Sequence, residues 1–317
     1  MSDRLSTEGR LWNLLRGAIG TRALAIVADL GVADALAEGP RPVDEVAREV
    51  GADPDALHRL LRALASDGVF AEEEPRVFRN TDASELLRGS GWKDFAHLFG
   101  GVWYRTVERL DASGRAAFPE LHGTDFWAWL AERPAERAAF DRAMTQGKEG
   151  RVERLARVDW RGDELVVDVG GGNGSLLVDL LALHPGLRGI VFDLPETVRD
   201  EAALGDRIQF VEGSFFERVP DGDVYVLGTV LHDWDDEHAG AILRTIRESA
   251  PPGARVLIVD GVIAPGNEPD VTKWLDLLIL ASLGGRERDE SQWRVLTEGA
   301  GLEVVAIEDG LIEARCR

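Results

Sequence analysis

The feature that most constrains this chain is a glycine-rich turn, DVGGGNG, at residues 168–174. The apolar run at residues 165–169 predicts a buried parallel strand, and the leucine spacing of residues 175–183 predicts a helix. Glycines at such a strand-to-helix turn let a ligand approach the backbone closely. A second strand, VFD, ends at Asp193, whose carboxylate can accept hydrogen bonds from a ribose diol. The pattern therefore predicts a cofactor that contains a nucleoside.

A dinucleotide site is the competing interpretation, because its fingerprint has the same outline. Counted from Gly170, that fingerprint requires glycines two and five positions later. Gly172 meets the first requirement, but Ser175 occupies the second position, and counting from Gly172 fails at Leu177. S-adenosylmethionine has a nucleoside and a zwitterionic tail but no pyrophosphate to bind at the helix N-terminus, so the register favours this cofactor.

Three further segments follow in order: GSFFE at 213–217, VLHDWDDE at 230–237 and GGRERDESQW at 284–293. With DVGGGNG and with FDLPE at 192–196, they make the chain resemble the class I S-adenosylmethionine-dependent O-methyltransferases of the small-molecule type. This is the family of plant phenolic and bacterial polyketide O-methyltransferases. The resemblance spans nearly the whole chain. It implies an α/β fold, in which a mainly helical, winged-helix-like dimerisation domain precedes a Rossmann-like methyltransferase domain with a mostly parallel seven-stranded sheet.

The first hundred residues have the pattern of a separate helical domain. Apolar positions within residues 42–50 have helical spacing, and Asp53-Pro54 supplies an N-cap and a first residue for a second helix, which Gly68 ends. Apolar pairs then flank an acidic turn, Glu72–Glu74, like the strands of a wing. The predicted organisation is a winged-helix-like dimerisation domain at 1–100, a helical linker at 101–160 and a catalytic domain that binds S-adenosylmethionine at 161–317.

A winged helix often binds DNA, so a regulator is an alternative interpretation. Residues 1–100 carry more acidic than basic side chains, and the acidic wing tip would repel phosphates. The net charge of −21 likewise argues against nucleic acids and anionic membranes as partners. In similar enzymes this domain forms an intertwined dimer. Residues 11–30 contain more apolar groups than a lone surface helix, which predicts a homodimer, with burial inside the same chain as the alternative.

Composition is compatible with this class. A chain of 317 residues, 44% of them hydrophobic, can form one large or two ordinary packed domains. The single cysteine, Cys316, cannot form an internal disulfide, and the first ten residues lack the apolar core of a signal peptide, so we expect a cytoplasmic protein. The apolar run at 274–283 contains Asp276 and is too short to cross a bilayer, which takes about 20 residues.

The chemistry is expected at His232. Residues 223–229, DVYVLGT, predict a strand, and His232 follows in the loop at its carboxyl end, the usual ligand edge of an α/β sheet. A lone histidine there is more often structural, but in the family that this chain resembles the HDW histidine takes the acceptor hydroxyl's proton as oxygen attacks the sulfonium methyl group. A phenol of pKa about 10 is mostly protonated at pH 7, whereas imidazole of pKa about 6.5 is available as a base.

The resemblance implies two acids beside the base: Asp260, at the end of the strand 256–259, and Glu287, within GGRER. They would orient the imidazole and stabilise the imidazolium. Aspartate at position 260 is shorter than the glutamate that is commoner there. Charged neighbours of Glu287 make a solvated surface position the alternative. Asp233 is expected to contact the substrate, and contact with the cofactor or capping of the next helix are its alternatives.

The remaining candidate residues concern the two ligands. Relatives often have aspartate where this chain has Ser214, and plant members have lysine where it has Gly228, so one cofactor contact is expected to be missing. The residues predicted to bind S-adenosylmethionine, and its product S-adenosylhomocysteine, are Asp168, Gly170, Gly172, Asp193, Leu194, Ser214 and Phe215. The residues predicted to contact a small aromatic acceptor are Trp103, Phe126, Trp127, Met144 and Trp274, although aromatic side chains are usually core.

HDWDDEH at 232–238 also looks like a metal-binding cluster, with two histidines and four acids. His232 and His238 are six positions apart, which no helix face brings together, and Asp235 stands where a helix cap is expected. We therefore predict no metal, with a magnesium-dependent catechol-type mechanism as the alternative. N-methylation, or a hydroxylase or decarboxylase in which the cofactor is structural, are further alternatives on the same fold.

Overall fold

The computed structural model describes residues 6–89, 91–195, 197 and 205–317. Glu196, the last residue of the FDLPE motif, and the first five residues lie outside this description. The chain divides into two compact units. The first consists of the described residues up to Arg105 and of Ala138–Gln146, and the second consists of the described residues within Thr106–Arg137 and Gly147–Arg317.

The first unit is mainly helical and carries a small antiparallel sheet of order β1-β3-β2. Its elements are α1 (Thr7–Asp29), α2 (Val32–Ala35), β1 (Arg41–Pro42), α3 (Val43–Val50), α4 (Pro54–Ser66), β2 (Phe70–Glu74), β3 (Val77–Asn80), α5 (Asp82–Glu85), α6 (Trp92–Gly100) and parts of α7 (Val102–Val107) and α10 (Pro134–Met144). Helix α4 begins as predicted, because Asp53 accepts a hydrogen bond from the N–H of Ala56 at 2.8 Å. Strands β2 and β3 form the wing over a core that includes Leu57, Leu61 and Phe78.

Helix α1 changes in exposure along its length. In its first half, apolar side chains are between 60% and 73% exposed: Leu11, Trp12, Leu14, Leu15 and Ile19. In its second half, Ala25 and Val27 are fully buried. Burial inside the same chain therefore accounts for the second half only. The apolar face of the first half, which we call the α1 face, is open in the single chain.

The second unit is built on a seven-stranded sheet of order β6-β5-β4-β7-β8-β10-β9. Its strands are β4 (Leu165–Val169), β5 (Arg188–Asp193), β6 (Ile208–Glu212), β7 (Val224–Gly228), β8 (Arg255–Val259), β9 (Leu302–Glu308) and β10 (Leu311–Cys316). The first five strands are parallel, and β10 is antiparallel to both of its neighbours. This is the mostly parallel sheet that the sequence predicts. Central strands such as β7 and β8 are almost continuously buried because helices cover both faces of such a sheet.

Besides the remaining parts of α7 and α10, the helices described in this unit are α8 (Phe118–His122), α9 (Phe126–Ala131), α11 (Lys148–Ala156), α12 (Ser175–Leu183), α13 (Asp236–Ser249), α14 (Thr272–Leu283) and α15 (Glu290–Gly299), and a 3-10 turn covers Leu231–Asp233. Parallel strands bring their carboxyl ends to one edge of the sheet. The glycine turn follows β4, Asp193 ends β5, the 3-10 turn follows β7, and Asp260 follows β8. The fold therefore collects the predicted cofactor and catalytic residues at this edge.

The only cysteine of the sequence, Cys316, lies at the end of β10, opposite Leu302 of β9. It is 5% exposed, and burial raises the pKa of its thiol. Both conditions make a thiol unreactive. No helix in the described part of the chain combines the length and apolar character needed to cross a membrane.

Candidate active site

The glycine turn after β4 is shaped for close approach to its backbone. Gly170 and Gly172 have φ angles of 71° and 57°, in the left-handed region that favours glycine. The N–H of Gly170 donates to the carbonyl of Phe192 at 2.8 Å, which ties the turn to β5. A Cβ on Gly170 would lie 2.9 Å from Val230, whereas one on Gly172 would meet nothing within 4 Å. The turn therefore presents an open backbone surface at Gly172.

Asp168 is the buried acid of this turn. Its Oδ2 atom has no hydrogen-bond partner among the described residues, and the residue is 1% exposed. Burial, and then the charge of Asp193, raise the pKa of Asp168 to about 7. A buried carboxylate oxygen without a partner is costly and suits a site for a cationic donor. The ammonium group of S-adenosylmethionine fits this requirement.

Asp193 links the glycine turn to the segment that follows β5. Its Oδ2 accepts the N–H of Gly172, and its Oδ1 accepts the N–H of Leu194 and the hydroxyl of Thr197, each at 2.7 Å. A carboxylate offers about four lone-pair positions, so beside these three bonds among the described residues it has the capacity to accept a ribose hydroxyl. Leu194 itself is 42% exposed.

The GSFFE segment contributes an aromatic side chain beside the turn. The ring of Phe215 would lie 3.7 Å from a Cβ on Gly170, and it packs edge-on against Trp234. Ser214 accepts the N–H of Phe216 at 3.3 Å, so its hydroxyl helps to close a local turn. Phe215 borders the glycine turn, and the roles of Ser214 and Phe215 in binding remain predictions.

Sequence reasoning missed Arg151, on α11. Its side chain is largely buried, which lowers the pKa of its guanidinium, while the charges of Asp168 and Asp260 act in the opposite direction. Its Cδ atom would lie 3.9 Å from a Cβ on Gly228. The helix thus brings a cation close to the strand position where plant relatives have lysine. A lone arginine upstream of the motif gives no sequence signal for this arrangement.

His232 lies in the 3-10 turn immediately after β7. Its side chain retains 17% exposure, so one edge of the ring is accessible. Nδ1 lies 2.9 Å from Oε1 of Glu287 and 3.1 Å from Oδ1 of Asp260, while the second oxygen of Asp260 accepts the backbone N–H of His232. Two carboxylates at Nδ1 require a proton on that nitrogen. In the neutral ring, Nε2 is therefore the atom that can accept a further proton.

The two acids have little contact with solvent. Glu287 is 4% exposed, so the surface position considered from its charged neighbours is wrong. Asp260 reaches the ring in spite of its shorter side chain, because the end of β8 lies directly beside the 3-10 turn. The backbone N–H of Glu287 donates to Asp276 of α14 at 2.8 Å, which anchors the acid from behind.

This environment changes the basicity of the histidine. Burial lowers the pKa of His232, but the charges of Asp260, Asp233 and Glu287 outweigh it and raise the pKa to about 10. The expectation of a pKa near 6.5 is therefore wrong for this site. The physical reason is that three acids from separate segments surround one imidazole. Burial also raises the pKa of Asp233 to about 7, with Oδ1 at 3.4 Å from Nε2.

The HDWDDEH acids do not form one cluster. Asp235 caps α13 by accepting the N–H of His238, whose exposed ring also contacts Asp235. Capping of the next helix is thus the role of Asp235, not of Asp233. Among the described residues, His232, Asp260 and Glu287 have atoms within 4.8 Å of one another, a spacing that a metal ion also accepts. Here the distances at Nδ1 are those of hydrogen bonds.

The predicted acceptor residues are distributed over both units. Trp103 and Met144 belong to the first unit, where Trp103 is 6% exposed among other aromatic rings. Phe126, Trp127 and Trp274 belong to the second unit. Phe126 is 2% exposed, whereas Trp274 is 60% exposed on α14, a helix that contacts the 3-10 turn of His232. Trp274 is therefore the most exposed of these five residues.

The profile of the O-methyltransferase domain matches residues 103–303, and that of the O-methyltransferase dimerisation domain matches residues 12–90. The chain belongs to the O-methyltransferase family. It is an enzyme that uses S-adenosylmethionine as its methyl donor, and it carries the dimerisation domain of this family.

Individual relatives agree over almost the whole chain. Phenazine O-methyltransferase PhzM of Lysobacter antibioticus is 37% identical, over 96% of this chain and 95% of its own. The structure of the O-methyltransferase NcsB1 from neocarzinostatin biosynthesis, with S-adenosylmethionine and 2-hydroxy-5-methyl naphthoic acid, is 34% identical, with a TM-score of 0.80 over 94% of this chain and 96% of that one. The structure of N,N-8-amino-8-demethyl-D-riboflavin dimethyltransferase of Streptomyces davawensis is 30% identical, with a TM-score of 0.76 over 99% of each chain.

Proposed function

We propose that the enzyme methylates a phenolic hydroxyl of a small aromatic or polyketide-type natural product, with His232 as the general base. The observation that carries this proposal is the orientation of His232. Two buried acids hold Nδ1, while the ring keeps a 17% exposed side. The relatives whose names include a phenazine or a naphthoic acid support an aromatic acceptor.

The raised pKa of His232 matches the proton that it has to accept. Transfer from a phenol of pKa about 10 to an ordinary imidazole of pKa about 6.5 would be uphill by about 5 kcal/mol. With the pKa of His232 at about 10, the same transfer is close to balanced. The cost is that His232 is mostly protonated at neutral pH. Asp260 and Glu287 then stabilise the imidazolium that forms as the hydroxyl loses its proton.

We propose that three residues bind the cofactor and that it reaches them along the open backbone of the glycine turn. Asp168 would receive the ammonium group, Asp193 a ribose hydroxyl, and Arg151 the carboxylate, at a position where its guanidinium can form a charge-assisted pair. The open side of Gly172 would let the cofactor lie against the backbone. Leu194, Ser214 and Phe215 would border its nucleoside. S-adenosylmethionine supplies the methyl group as part of a sulfonium cation. No side chain of this enzyme has to act as a nucleophile.

We also propose that the enzyme is a homodimer that associates through the α1 face. Five large apolar side chains are exposed there on successive turns of one helix, which is unusual for a monomer surface. The match of residues 12–90 to a dimerisation domain supports this use of the helix. On the acceptor side, we propose that Trp274 stacks against an aromatic ring and that Asp233 contacts the acceptor near Nε2.

We propose that the reaction does not require a metal. In the three residues with suitable spacing, Nδ1 of His232 lies at hydrogen-bond distance from both carboxylates, so a cation there would have to displace the proton of Nδ1. A chelator tests this directly: turnover in EDTA should equal turnover without it. Loss of turnover that magnesium restores would contradict the proposal.

The experiment for the whole proposal is incubation with methyl-labelled S-adenosylmethionine and a panel of phenols, naphthoates, polyketide aglycones and aromatic amines, followed by mass spectrometry. A labelled methoxy product is expected from the wild type. His232→Ala should lower turnover by at least about 100-fold, because it removes the base. His238→Ala, which changes an exposed histidine six residues away, should not. Labelled nitrogen would indicate N-methylation, and gain of oxygen or loss of carbon dioxide without label would indicate a non-methylating enzyme.

A further inference from the structure

Arg288 is the most deeply buried cation close to the catalytic turn. It lies in the charged run RERDE, which is typical of a solvated surface, yet it is 0% exposed. Its guanidinium donates to the carbonyl of Leu231 at 3.0 Å, to the carbonyl of Trp234 at 2.9 Å and to the carboxylate of Asp236 at 2.9 Å. The guanidinium also lies 5.2 Å from the ring centre of Trp293.

The two carbonyls belong to the residues on either side of His232 and Asp233. The carbonyl of His232 itself accepts the N–H of Arg286 at 2.9 Å. Gly285 packs so tightly below the turn that a Cβ there would overlap the carbonyls of His232 and Asp233. The segment that supplies Glu287 to the imidazole therefore also binds the backbone that carries the imidazole.

The turn needs such support, because its backbone is strained on entry. Thr229, three residues before His232, has a φ angle of 57°, which a β-branched residue rarely adopts. Inside the 3-10 turn the carbonyl of Leu231 accepts the N–H of Trp234 at 3.3 Å, but the carbonyls of His232 and Trp234 accept hydrogen bonds from the GGRER segment. Strain of this kind persists only where surrounding contacts determine the conformation. Arg288 provides two of these contacts with one rigid, planar group.

We propose that Arg288 is a positioning residue for the catalytic base: it fixes the backbone on both sides of His232, so that the imidazole stays within hydrogen-bond distance of Asp260 and Glu287. This inference rests on the proposed role of His232. It assigns to the GGRER segment two linked tasks, since Glu287 contacts the ring and the adjacent Arg288 holds the turn.

The chain offers a matched control in Arg255, at the opposite end of β8 from Asp260. Arg255 also binds one carboxylate, of Glu164, and one carbonyl, of Asp159, each at 2.9 Å. Its guanidinium also lies 5.2 Å from a tryptophan ring, that of Trp160. Arg255→Gln therefore removes similar stabilising contacts at a place that is remote along the strand from the base.

The test compares Arg288→Gln and Arg288→Lys with Arg255→Gln in the full-length enzyme, by thermal unfolding, cofactor affinity, kcat, KM and the pH profile. Arg288→Gln should lower kcat by at least about 30-fold, because small misplacements of catalytic groups have effects of this size. The acidic limb of the pH–rate profile of this variant should shift to lower pH by about one unit or more, because the ring of His232 loses its close contact with the acids. Arg288→Lys, which keeps the charge without the planar fork, should fall between the wild type and Arg288→Gln.

Arg255→Gln should lower the unfolding temperature, keep kcat within about threefold of the wild type, and leave the pH profile unchanged. The proposal is wrong if both Arg288 variants match Arg255→Gln in kcat and in the pH profile. If Arg288→Gln fails to fold, Arg288→Lys decides: a wild-type pH profile and kcat would overturn the proposal. His232→Ala separates the two claims, because activity that survives in that variant contradicts the general base itself, whatever the Arg288 variants do.

Discussion

Nδ1 of His232 lies 2.9 Å from Oε1 of Glu287, although 55 positions of sequence separate the two residues. Together with Asp260 and Asp233, this acid raises the pKa of His232 to about 10. The active histidine is the neutral form, so activity must increase as the pH rises toward that pKa. In an enzyme whose histidine acts as an acid, activity would instead decrease as the pH rises toward the pKa of the histidine.

We therefore expect kcat/KM, at saturating cofactor, to keep increasing above pH 8 instead of levelling near pH 7. Glu287→Gln removes one of the charges that favour the imidazolium, so its acidic limb should shift to lower pH by about one unit. Its maximum rate should also fall, because the imidazolium loses a partner. Glu290→Gln, a change of an exposed acid that pairs with Arg294, should leave the profile unchanged. A limb at the same pH in Glu287→Gln would contradict this account.

Arg151 is expected to bind the cofactor and to have little effect on chemistry. Arg151→Met should weaken S-adenosylmethionine binding by about 10-fold to 100-fold, the range of one charge-assisted hydrogen bond, while kcat at saturation changes much less. Isothermal calorimetry measures the affinity directly. Arg157→Met, a change of a side chain that is 61% exposed after the same helix, is the control. Equal affinities in the two variants would remove Arg151 from the site.

Two glycines provide a test of how tightly the GGRER segment packs. A Cβ on Gly285 would overlap the carbonyl of His232, so Gly285→Ala should destabilise the fold by about 1–3 kcal/mol and lower kcat. Gly299, at the end of α15, has nothing within 4 Å of its Cβ position. Gly299→Ala should be neutral or stabilising by up to about 1 kcal/mol, because alanine is the better helix former. Denaturant unfolding measures the stability change of each variant. Equal unfolding midpoints for Gly285→Ala and Gly299→Ala would contradict the tight packing of Gly285.

How far these features follow from sequence depends on the range of the interactions. Asp53 and Pro54 define the start of α4 by themselves, because capping is local. The glycine turn and the position of His232 at a strand end are also short-range patterns. The burial of Glu287 and Arg288 is different, since neighbouring charges in sequence gave the appearance of a surface. Only the packing of their segment beneath the 3-10 turn shows where their side chains lie.

The basicity of His232 is the clearest case of a property that the sequence hides. Its two closest acids, Asp260 and Glu287, come from segments 28 and 55 residues away. A pKa depends on the distances and burial of such groups, and neither is encoded in a motif. Arg151 was missed for a related reason, since a helix outside the motifs brings its side chain close to Gly228 at the end of β7.

The same titration has a consequence for stability without ligands. Because the folded state raises the pKa of His232 to about 10, this side chain stays protonated over a pH range in which it is neutral in the unfolded chain. The stability that His232 contributes is therefore lost as pH rises between about pH 6.5, the unfolded value for histidine, and pH 10. The raised pKa values of Asp168 and Asp233, about 7, act in the same direction at lower pH, between about pH 4 and pH 7. Urea unfolding at pH 7 and pH 9.5 measures this loss. His232→Gln should reduce the difference between the two midpoints, and an unchanged difference would contradict the assignment.

The α1 face gives a prediction about assembly. Leu15 is 69% exposed there, so Leu15→Lys should place a charge in the proposed interface and yield a monomer by light scattering at micromolar concentration. Val295 is a matched apolar residue, 74% exposed, on α15 of the other unit. For Val295→Lys, light scattering should still give the molar mass of a dimer. A wild-type monomer, or a dimer in Leu15→Lys, would contradict the proposed interface.

The buried position of Cys316 makes this thiol a chemical probe of local opening in the sheet. The sequence has one cysteine, and the structure buries it at the end of β10, opposite Leu302 of β9. A thiol reagent can therefore react only when this edge of the sheet separates, at a rate set by the opening equilibrium. No engineered label is needed. Labelling kinetics with and without S-adenosylmethionine would therefore report whether cofactor binding at the carboxyl ends of the parallel strands changes how often β10 separates from β9.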